Sequence, residues 1–359
     1  MLPRDTLFNS QEIVKNYLRE NNLGAWVSFR YESRRYLIGF TGSAGILVMK
    51  PEPNLLVDFR YTEQAKIESP SAKVIEFTKP YHKYLKEVLN SGSIKKVGFE
   101  PNHLTVSQLK ELEEFIGEVE WLPTENLVEN CRVIKDEQEI SSIKTAQELS
   151  EKALYNILKL LKPGVKEIDL AIELEYQIRQ RGANMAFPII VASGERAALP
   201  HAQPTNKEIK TGEFIVIDFG ARIDGYVSDC TRTFFLGKPG EKEVDVYNHV
   251  LEAQRQAFSI IQAGVEAGLV DKAARDYLKG KGLDNYFGHG LGHGVGLEVH
   301  EAPRVAIDDK TVLKEGMVIT VEPGVYISGW GGVRTEDMVV LKSNGYYNLS
   351  KFPKDEWKL

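Results

Sequence analysis

A nine-residue pattern occurs twice in the second half of this 359-residue chain, at residues 212–220 and again at 316–324. Each copy begins with glycine, continues through an apolar-rich run, places an acid six positions after the first glycine, and ends in glycine. The two acids are Asp218 and Glu322, and two segments with helical periodicity precede each copy. The repeat predicts a duplicated half-domain with pseudo-two-fold symmetry.

A second acid follows each copy after a segment that is typical of a hairpin turn. Asp229 lies eleven residues after the first acid, and Glu336 lies fourteen residues after the second. The turns are predicted at 222–225 and 328–332, where glycine allows the tight backbone bend that a hairpin needs. A hairpin brings the two carboxylates of each copy to adjacent strands. Two related halves would then offer four carboxylates to one central site.

Four carboxylates at the ends of apolar strands need cations if they are buried. Burying a single ionised carboxylate without a partner costs several kcal/mol. Few basic residues lie nearby in the sequence besides Arg232 and Arg334. A divalent metal therefore explains the pattern better, and carboxylates with an imidazole suit Mn²⁺, Co²⁺ or Zn²⁺. The alternative is a set of hairpin acids that face solvent.

The segment 288–301 holds three of the seven histidines, His289, His293 and His300. The glycines between them argue against a helix, because each costs about 1 kcal/mol there. His289 and His293 are therefore not a helical metal-binding pair of the H-E-x-x-H kind. Glycine is used where the backbone bends or approaches another group closely. The segment is predicted to present imidazoles to a metal or a substrate, and the alternative is a loop with surface histidines.

Length and composition limit the remaining possibilities. A chain of this length favours two domains, and a formal net charge of −6 gives no reason to expect nucleic acid or an anionic membrane as a partner. No apolar run approaches a membrane span. The first ten residues lack the apolar stretch of a signal peptide. Cys131 and Cys230 show no zinc-type spacing, so a cytoplasmic protein without structural disulfides is expected.

The order of helical and strand-like segments predicts the two domains. Residues 1–130 alternate between the two types, which favours an α/β domain with a partly parallel sheet. Residues 131–359 hold the repeat and form the second domain. Residues 125–135 carry no clear period and are predicted to connect the two. The stretch 58–61 is interpreted as a structural ion pair at a helix start, with a functional loop as the alternative.

The motifs around these acids and histidines resemble those of the metal-dependent pita-bread peptidases, which include methionine aminopeptidase, aminopeptidase P and prolidase. The stretches 36–43 and 58–61 resemble the creatinase-type N-terminal domain, which methionine aminopeptidases lack. The resemblance covers essentially the whole chain. It implies a creatinase-like α/β domain followed by a pseudo-two-fold pita-bread metallopeptidase domain. The matching segments of the second domain are 217–220, 228–233, 288–301, 321–324 and 332–336.

The resemblance also implies the metal ligands and the number of metals. The implied site binds two divalent ions per chain, with Mn²⁺ favoured and Co²⁺ or Zn²⁺ as alternatives. Asp229 and Glu336 would bridge the two ions. His293 and Glu322 would bind one ion, and Asp218 would bind the other.

Further residues match positions around the metals. Glu322 or Glu336 is implied to move a proton towards the leaving prolyl nitrogen. Three histidines are implied to hold substrate and stabilise the tetrahedral intermediate, an arginine to orient a carboxylate, and a tyrosine to line the site. These residues are His201, His289, His300, Arg334 and Tyr326.

The main functional prediction is a Xaa-Pro aminopeptidase, which releases the first residue of peptides with proline in second position. The alternative is a Xaa-Pro dipeptidase. A strict dipeptidase must recognise the carboxylate of its substrate, and Arg304 is the candidate because arginine binds carboxylates through two bonds. A non-catalytic binding protein with this fold is less well supported, since the ligand set is intact. Dimeric relatives share the first domain, so a homodimer is expected.

Overall fold

The computed structural model describes residues 4–90 and 94–359. The chain divides into two compact units between Arg132 and Val133, and the predicted boundary lay between residues 130 and 131. No helix among the described residues is both long enough and apolar enough to cross a bilayer. Each unit has its own buried apolar core.

The first unit is built on a mixed six-stranded sheet in the order β4-β3-β2-β1-β5-β6. The pairs β1–β5, β5–β6 and β3–β4 are parallel, whereas β2 is antiparallel to both of its neighbours. Parallel neighbours need long crossovers, which the helices supply. The elements are α1 (Arg4–Glu20), β1 (Ala25–Ser28), α2 (Tyr31–Ile38), β2 (Ile46–Met49), β3 (Asn54–Val57), α3 (Thr62–Glu68), β4 (Lys73–Glu76), α4 (His82–Asn90), β5 (Lys96–Phe99), α5 (Val106–Ile116), β6 (Glu120–Pro123) and α6 (Leu127–Arg132).

Two local predictions concern this unit. The ion pair expected at 58–61 is present: the Arg60 Nη2 atom lies 2.7 Å from Asp58 Oδ2, just before α3. The connection predicted at 125–135 contains the boundary between the units, after Arg132, although the short helix α6 occupies part of it. This helix has six residues, which is less than two full turns and too short for a helical period to be visible.

The second unit contains two helix pairs and antiparallel sheets. The sheets have the orders β11-β10-β7, β12-β9-β8, β14-β13-β15-β18-β19 and β16-β17. The elements are α7 (Glu137–Ile157), α8 (Glu167–Gln180), β7 (Asn184–Met185), β8 (Ile190–Ser193), β9 (Phe214–Phe219), β10 (Ala221–Ile223), β11 (Tyr226–Val227), β12 (Cys230–Phe235), α9 (Glu241–Phe258), α10 (Ala267–Lys279), β13 (Gly292–Gly294), β14 (Glu301–Val305), β15 (Val318–Val321), β16 (Gly324–Ile327), β17 (Gly331–Arg334), β18 (Asp337–Lys342) and β19 (Gly345–Asn348), with 3₁₀ turns at Leu158–Leu160, Gly194–Ala198 and Asp284–Tyr286.

The backbone of this unit repeats itself in the way the sequence predicted. Gly164 donates to Ile209 O at 2.9 Å, and Gly264 donates to Leu313 O at 2.8 Å. These two glycines have φ angles of 88° and 94°, which only glycine adopts without strain. Both predicted hairpins are present, β10–β11 in the first half and β16–β17 in the second. The first half comprises α7 to β12 and the second half α9 to β18.

Strand β9 lies between two apolar cores and thereby orients an acid. Ile215, Ile217 and Phe219 belong to the core under α7 and α8. Phe214 and Val216 belong to the core under α9 and α10. Side chains alternate along a strand, so Asp218 shares the face of Phe214 and Val216. The acid is thus directed away from the core of its own half.

Candidate active site

The strand pairings bring the predicted acids of each half close together. In the second half Val321 pairs with Asp337, so the adjacent residues Glu322 and Glu336 meet at the same end of β15 and β18. In the first half Asp218 pairs with Thr231, two residues after Asp229. The Glu336 amide donates to Thr231 O at 3.1 Å, which joins the two halves where the acids meet.

His293 lies on strand β13, which approaches its neighbours more closely than a side chain would allow. A Cβ atom on Gly292 would lie 2.1 Å from Thr320 O, and one on Gly294 would lie 2.2 Å from Ala302 O. Glycine at both positions therefore permits the close backbone approach that the sequence predicted. The His293 amide donates to Thr320 Oγ1 at 3.0 Å. The segment is thus a short strand that directs His293 towards the acids.

Three of the predicted ligands form a compact cluster. Among the described residues, Asp229, His293 and Glu336 each offer one ligand atom, and these atoms all lie within 4.8 Å of one another. His293 Nε2 lies 3.3 Å from Glu322 Oε1 and 3.6 Å from Asp229 Oδ2. Asp218 reaches the same cavity from β9. The structure therefore brings all five predicted ligands to one place.

The atoms of this cluster fit a divalent cation. His293 Nδ1 lies 3.1 Å from Gly294 O, so this nitrogen carries a proton, and Nε2, which faces the carboxylates, becomes a ligand atom when it loses its own proton. Asp218 Oδ1 is buried and has no hydrogen-bond partner among the described residues. Once Nε2 is deprotonated, the converging atoms are all acceptors and need a cation. Carboxylate oxygens with one imidazole nitrogen suit Mn²⁺, Co²⁺ or Zn²⁺.

The electrostatics of the site point the same way. Burial and the nearby Glu336 raise the pKa of Asp229 well above its usual value, and burial and Glu322 do the same to the pKa of Glu336. Burial alone would also raise the pKa of Glu322, but the hydrogen bond and charge of His293 lower it to about 2. Of the two arginines noted in the sequence, Arg232 pairs with Asp337 outside this cluster, at 2.8 Å. The acids thus exceed the positive charge that the protein supplies.

Arg334 contacts the cluster of acids and connects acids from both halves of the unit. Its Nη2 donates to Asp218 Oδ2 at 2.6 Å, and its Nε donates to Thr231 Oγ1 at 3.0 Å. The Thr231 hydroxyl in turn donates to Glu336 Oε2 at 2.7 Å. One arginine thereby holds an acid of the first half directly and an acid of the second half through a buried threonine.

The same arginine extends to one of the outer histidines. Arg334 Nη1 donates to the Tyr326 hydroxyl at 3.0 Å, and this hydroxyl lies 3.0 Å from His289 Nε2. His289 Nδ1 lies 2.7 Å from Gly290 O and must be the protonated nitrogen. The tyrosine therefore donates to Nε2 of a neutral imidazole. Burial lowers the pKa of His289, which agrees with that neutral form.

A cavity of about 550 Å³ opens in front of the acids. Apolar side chains form part of its wall, among them Phe187, Ile190 and Val299. His300 stacks edge-on against His293 with ring centroids 4.3 Å apart. Tyr326 was predicted to line the site but does not line the cavity; instead it forms a hydrogen bond with His289. The predicted residues that line the cavity are His201, Asp218, Asp229, His289, His293, His300, Arg304, Glu322, Arg334 and Glu336.

Sequence reasoning missed several residues that contact the site, and Thr231 and Gln203 are two of them. Thr231 is fully buried and links Arg334 to Glu336, although its motif was noted only for Asp229. Its position two residues after Asp229, in an alternating strand, was a usable signal because i and i+2 share a face. Gln203 also lines the cavity. It lies in a loop without periodicity, and nothing in the sequence distinguished it.

Known proteins with similar sequences and structures identify the family. The sequence model described as metallopeptidase family M24 matches residues 141–343, and the creatinase/prolidase N-terminal domain matches residues 12–134. A Xaa-Pro dipeptidase of Pyrococcus horikoshii is 38% identical over 347 residues, which is 95% of this chain and 97% of that protein.

Solved structures are similar over nearly the full length. A Xaa-Pro dipeptidase from Bacillus anthracis has a TM-score of 0.95 and 40% identity, and the match covers 98% of this chain and 100% of that one. An X-Pro aminopeptidase from Thermotoga maritima has a TM-score of 0.90 and 36% identity, with coverage of 97% and 99%.

This chain belongs to metallopeptidase family M24 and carries a creatinase/prolidase N-terminal domain. The predicted fold class, a creatinase-like α/β domain followed by a pita-bread domain, is confirmed. The protein is a metal-dependent peptidase, and the family implies divalent metal ions.

Proposed function

We propose that this protein is a Xaa-Pro dipeptidase that uses two divalent metal ions, Mn²⁺ in preference to Co²⁺ or Zn²⁺. The observation that carries the proposal is the cluster of Asp229, His293 and Glu336, whose ligand atoms lie within 4.8 Å of one another at the base of a cavity. Relatives from Pyrococcus and Bacillus that match this chain over nearly its full length are named Xaa-Pro dipeptidases. They favour this alternative over the aminopeptidase that was the main prediction.

The five residues that would hold the metals are Asp218, Asp229, His293, Glu322 and Glu336. When bound, divalent ions would supply Lewis acidity and activate water near neutral pH. Arg334 orients the Asp218 carboxylate by donating to Oδ2, so that Oδ1 would be the oxygen that binds a metal. Glu322 lies 3.3 Å from His293 Nε2 and is the candidate to carry a proton towards the leaving prolyl nitrogen.

The histidines that line the cavity would contact the peptide. The His300 ring packs against His293, and burial lowers the pKa of His300, so its neutral form is favoured. His201 and His300 are exposed to the cavity and can donate to a developing oxyanion. Replacement of His300 by alanine should therefore preserve metal content and lower the rate.

Arg304 is the residue that would distinguish a dipeptidase from an aminopeptidase. It lines the cavity, and its side chain is 68% exposed. In the structure its guanidinium lies 3.2 Å from Asp308, itself a surface residue. An exposed pair of this kind is weak, so a substrate carboxylate can compete for the arginine. Because the arginine is not fixed towards the cavity, a Xaa-Pro aminopeptidase remains the second candidate, and a relative from Thermotoga maritima has that name.

The deciding experiment compares kcat/KM for Ala-Pro, Ala-Pro-Ala and a longer Ala-Pro peptide in the presence of Mn²⁺. A dipeptidase should prefer Ala-Pro, and Arg304→Ala should lower its kcat/KM about tenfold or more, because a charged hydrogen bond to the substrate is lost. Arg255→Ala is the control, since this arginine is 71% exposed and does not line the cavity. Equal turnover of all three peptides, unaffected by Arg304→Ala, would make the protein an aminopeptidase.

The oligomeric state and location belong to the same proposal. A homodimer is proposed because the first unit matches the creatinase/prolidase N-terminal domain, which dimeric relatives carry. Sedimentation at micromolar concentration tests it, and a monomer would contradict it. A cytoplasmic location is proposed as well, and cell fractionation tests it.

A further inference from the structure

The carboxylate of Glu167, the first residue of α8, is fully buried and accepts hydrogen bonds from three residues. Oε1 accepts from the Ser193 amide at 2.8 Å and from the Ser193 hydroxyl at 2.9 Å. Oε2 accepts from Arg196 Nε at 3.0 Å, from the Thr205 amide at 3.1 Å and from the Thr205 hydroxyl at 2.8 Å. A single buried carboxylate thus satisfies donors from both ends of one segment.

The segment between these donors, residues 193–205, carries His201. Arg196, bound to Glu167 through Nε, also donates through Nη2 to Gln203 O at 2.6 Å. The carboxylate therefore controls the segment directly at both ends and indirectly at a residue two positions past His201. His201 and Gln203 both line the cavity.

The His201 ring depends on this backbone for its position. Within residues 4–90 and 94–359, no hydrogen bond to the ring is present, and the side chain is exposed to the cavity. A side chain without partners of its own is oriented only by the backbone that carries it. The segment that Glu167 holds therefore determines where the imidazole meets a substrate.

The second half holds its own histidine segment in a similar way but with different residues. Asp271 is fully buried and accepts from Arg275 Nη2 at 2.9 Å. Arg275 Nη1 donates to Phe287 O at 2.9 Å, and Nη2 donates to His289 O at 2.8 Å. Each half thus joins a buried acid and an arginine to the backbone beside a cavity histidine.

The repeat itself does not account for this similarity. Gly164 and Gly264 make equivalent backbone bonds, so the position equivalent to Glu167 is occupied by Ala267. By the same spacing, Ala171 occupies the position equivalent to Asp271. The two halves hold their histidine segments from different positions. This difference indicates that a fixed histidine backbone is needed at both sides of the cavity.

We propose that Glu167 is a positioning residue of the peptidase: it holds segment 193–205 so that His201 meets the substrate beside the metals. This inference rests on the proposed function, in which His201 contacts the peptide. Glu167→Gln is the direct test, because an amide keeps the shape but places an NH₂ group against donors. We expect this variant to lower kcat/KM for Ala-Pro by about 10- to 100-fold, as small misplacements of a contacting group do, while metal content stays unchanged.

A double-mutant cycle separates positioning from stability. If Glu167 acts through His201, the double variant Glu167→Gln/His201→Ala should be no slower than His201→Ala alone. Combination of Glu167→Gln with His289→Ala is the matched control, and there the two losses should multiply. Glu151→Gln is a second control, because this buried acid accepts from the Lys351 and Phe352 amides and does not line the cavity. It should lower stability and leave kcat/KM unchanged.

Hydrogen exchange provides a readout that does not depend on activity. Glu167→Gln should speed amide exchange in residues 193–205 and leave residues 284–300 unchanged. If this variant does not fold, Arg196→Ala carries the same cycle, since it removes the bonds of Arg196 to Glu167 Oε2 and to Gln203 O but leaves those of Glu167 to Ser193 and Thr205. Losses that multiply with His201→Ala, or unchanged exchange in 193–205, would overturn the positioning role. A wild-type enzyme that hydrolyses no Xaa-Pro peptide would instead contradict the proposed function, and the exchange result would still decide the anchoring role of Glu167.

Discussion

The two halves of the second unit share a backbone plan that extends to individual side-chain contacts. Glu139 Oε2 accepts from the Asp136 amide at 2.8 Å, and Glu243 Oε2 accepts from the Gly240 amide at 3.0 Å. The other oxygen of each acid binds an aromatic residue of its hairpin. The Tyr226 hydroxyl donates to Glu139 Oε1 at 2.7 Å, and Trp330 Nε1 donates to Glu243 Oε1 at 3.2 Å.

The halves differ in how they neutralise the acids that they bring to the cavity. Glu322 has a basic partner from its own half, because His293 lies on the additional strand β13. Asp218 is paired with Arg334, which comes from the other half. A symmetric backbone therefore carries an asymmetric set of charges. The duplication thus accounts for the position of the acids, whereas the added histidine strand and one arginine make the two sides of the site unequal.

The largest effect is expected from the acids that meet at the junction of the halves. Asp229→Asn and Glu336→Gln should each remove metal and lower kcat by about 1000-fold, since metal ions supply several kcal/mol to the hydrolytic transition state. Metal analysis after gel filtration, together with rates for Ala-Pro, measures both effects. If only one of the two variants lost activity, the halves would not contribute equally to the shared centre.

A smaller effect is expected from the threonine that links the halves. Thr231→Val keeps the shape but removes the hydroxyl that donates to Glu336 and accepts from Arg334. Loss of such a supporting hydrogen bond should lower metal affinity or activity by about 10- to 100-fold. Thr145→Val is the control, because this hydroxyl bonds to Ser141 O on an exposed helix face, away from the cavity. An unchanged metal affinity and rate in Thr231→Val would show that Arg334 alone orients the acids.

The smallest effect on activity is expected from a change at Glu139. This acid is buried, whereas Glu243, which occupies the equivalent position in the second half, is partly exposed. Burial raises the pKa of Glu139 to about 7 from its ordinary 4.5. The folded state therefore binds more protons than the unfolded state between these values, and stability falls as pH rises through them. Glu139→Gln keeps the helix cap and removes this term, so the variant should gain up to about 3 kcal/mol over the wild type between pH 5 and pH 8.

Urea unfolding of both proteins at the two pH values measures the difference. Glu243→Gln, the same change at the partly exposed copy, is the control for replacement of a capping acid by an amide. A wild type and Glu139→Gln variant whose midpoints differ equally at pH 5 and pH 8 would contradict the buried acid as the source of the pH dependence.

The fold and the convergence of the five proposed ligands on one cavity could be predicted because each left a local signal in the sequence. The repeat of Gly212 and Gly316 marks equivalent turns, and their φ angles of 88° and 84° require glycine. Asp218 and Glu322 follow apolar runs, so their strands and their direction out of the core were readable.

Other features depend on contacts between distant segments and left no such signal. Glu167 lies 26 residues before Ser193 and 38 before Thr205, and at the start of a helix it is indistinguishable from any exposed acid. The pairing of Asp218 with Arg334 spans 116 residues. Arg232 is close to the acids in the sequence and was a possible cation for the site, but in the structure it pairs with Asp337 instead. Only the folded chain decides between such partners.

The most direct test of a shared metal centre built from two unequal halves is the number of metal ions bound per chain. Metal-free protein is titrated with Mn²⁺, and bound metal is counted for the wild type, Asp218→Asn and Arg334→Lys. We expect two ions in the wild type and one tightly bound ion in Asp218→Asn. Arg334→Lys should weaken one of the two sites, because a lysine does not reproduce the fork of donors that holds Asp218. A wild type that reaches full activity with one ion, or an Asp218→Asn variant that still binds two, would contradict a shared centre of this kind.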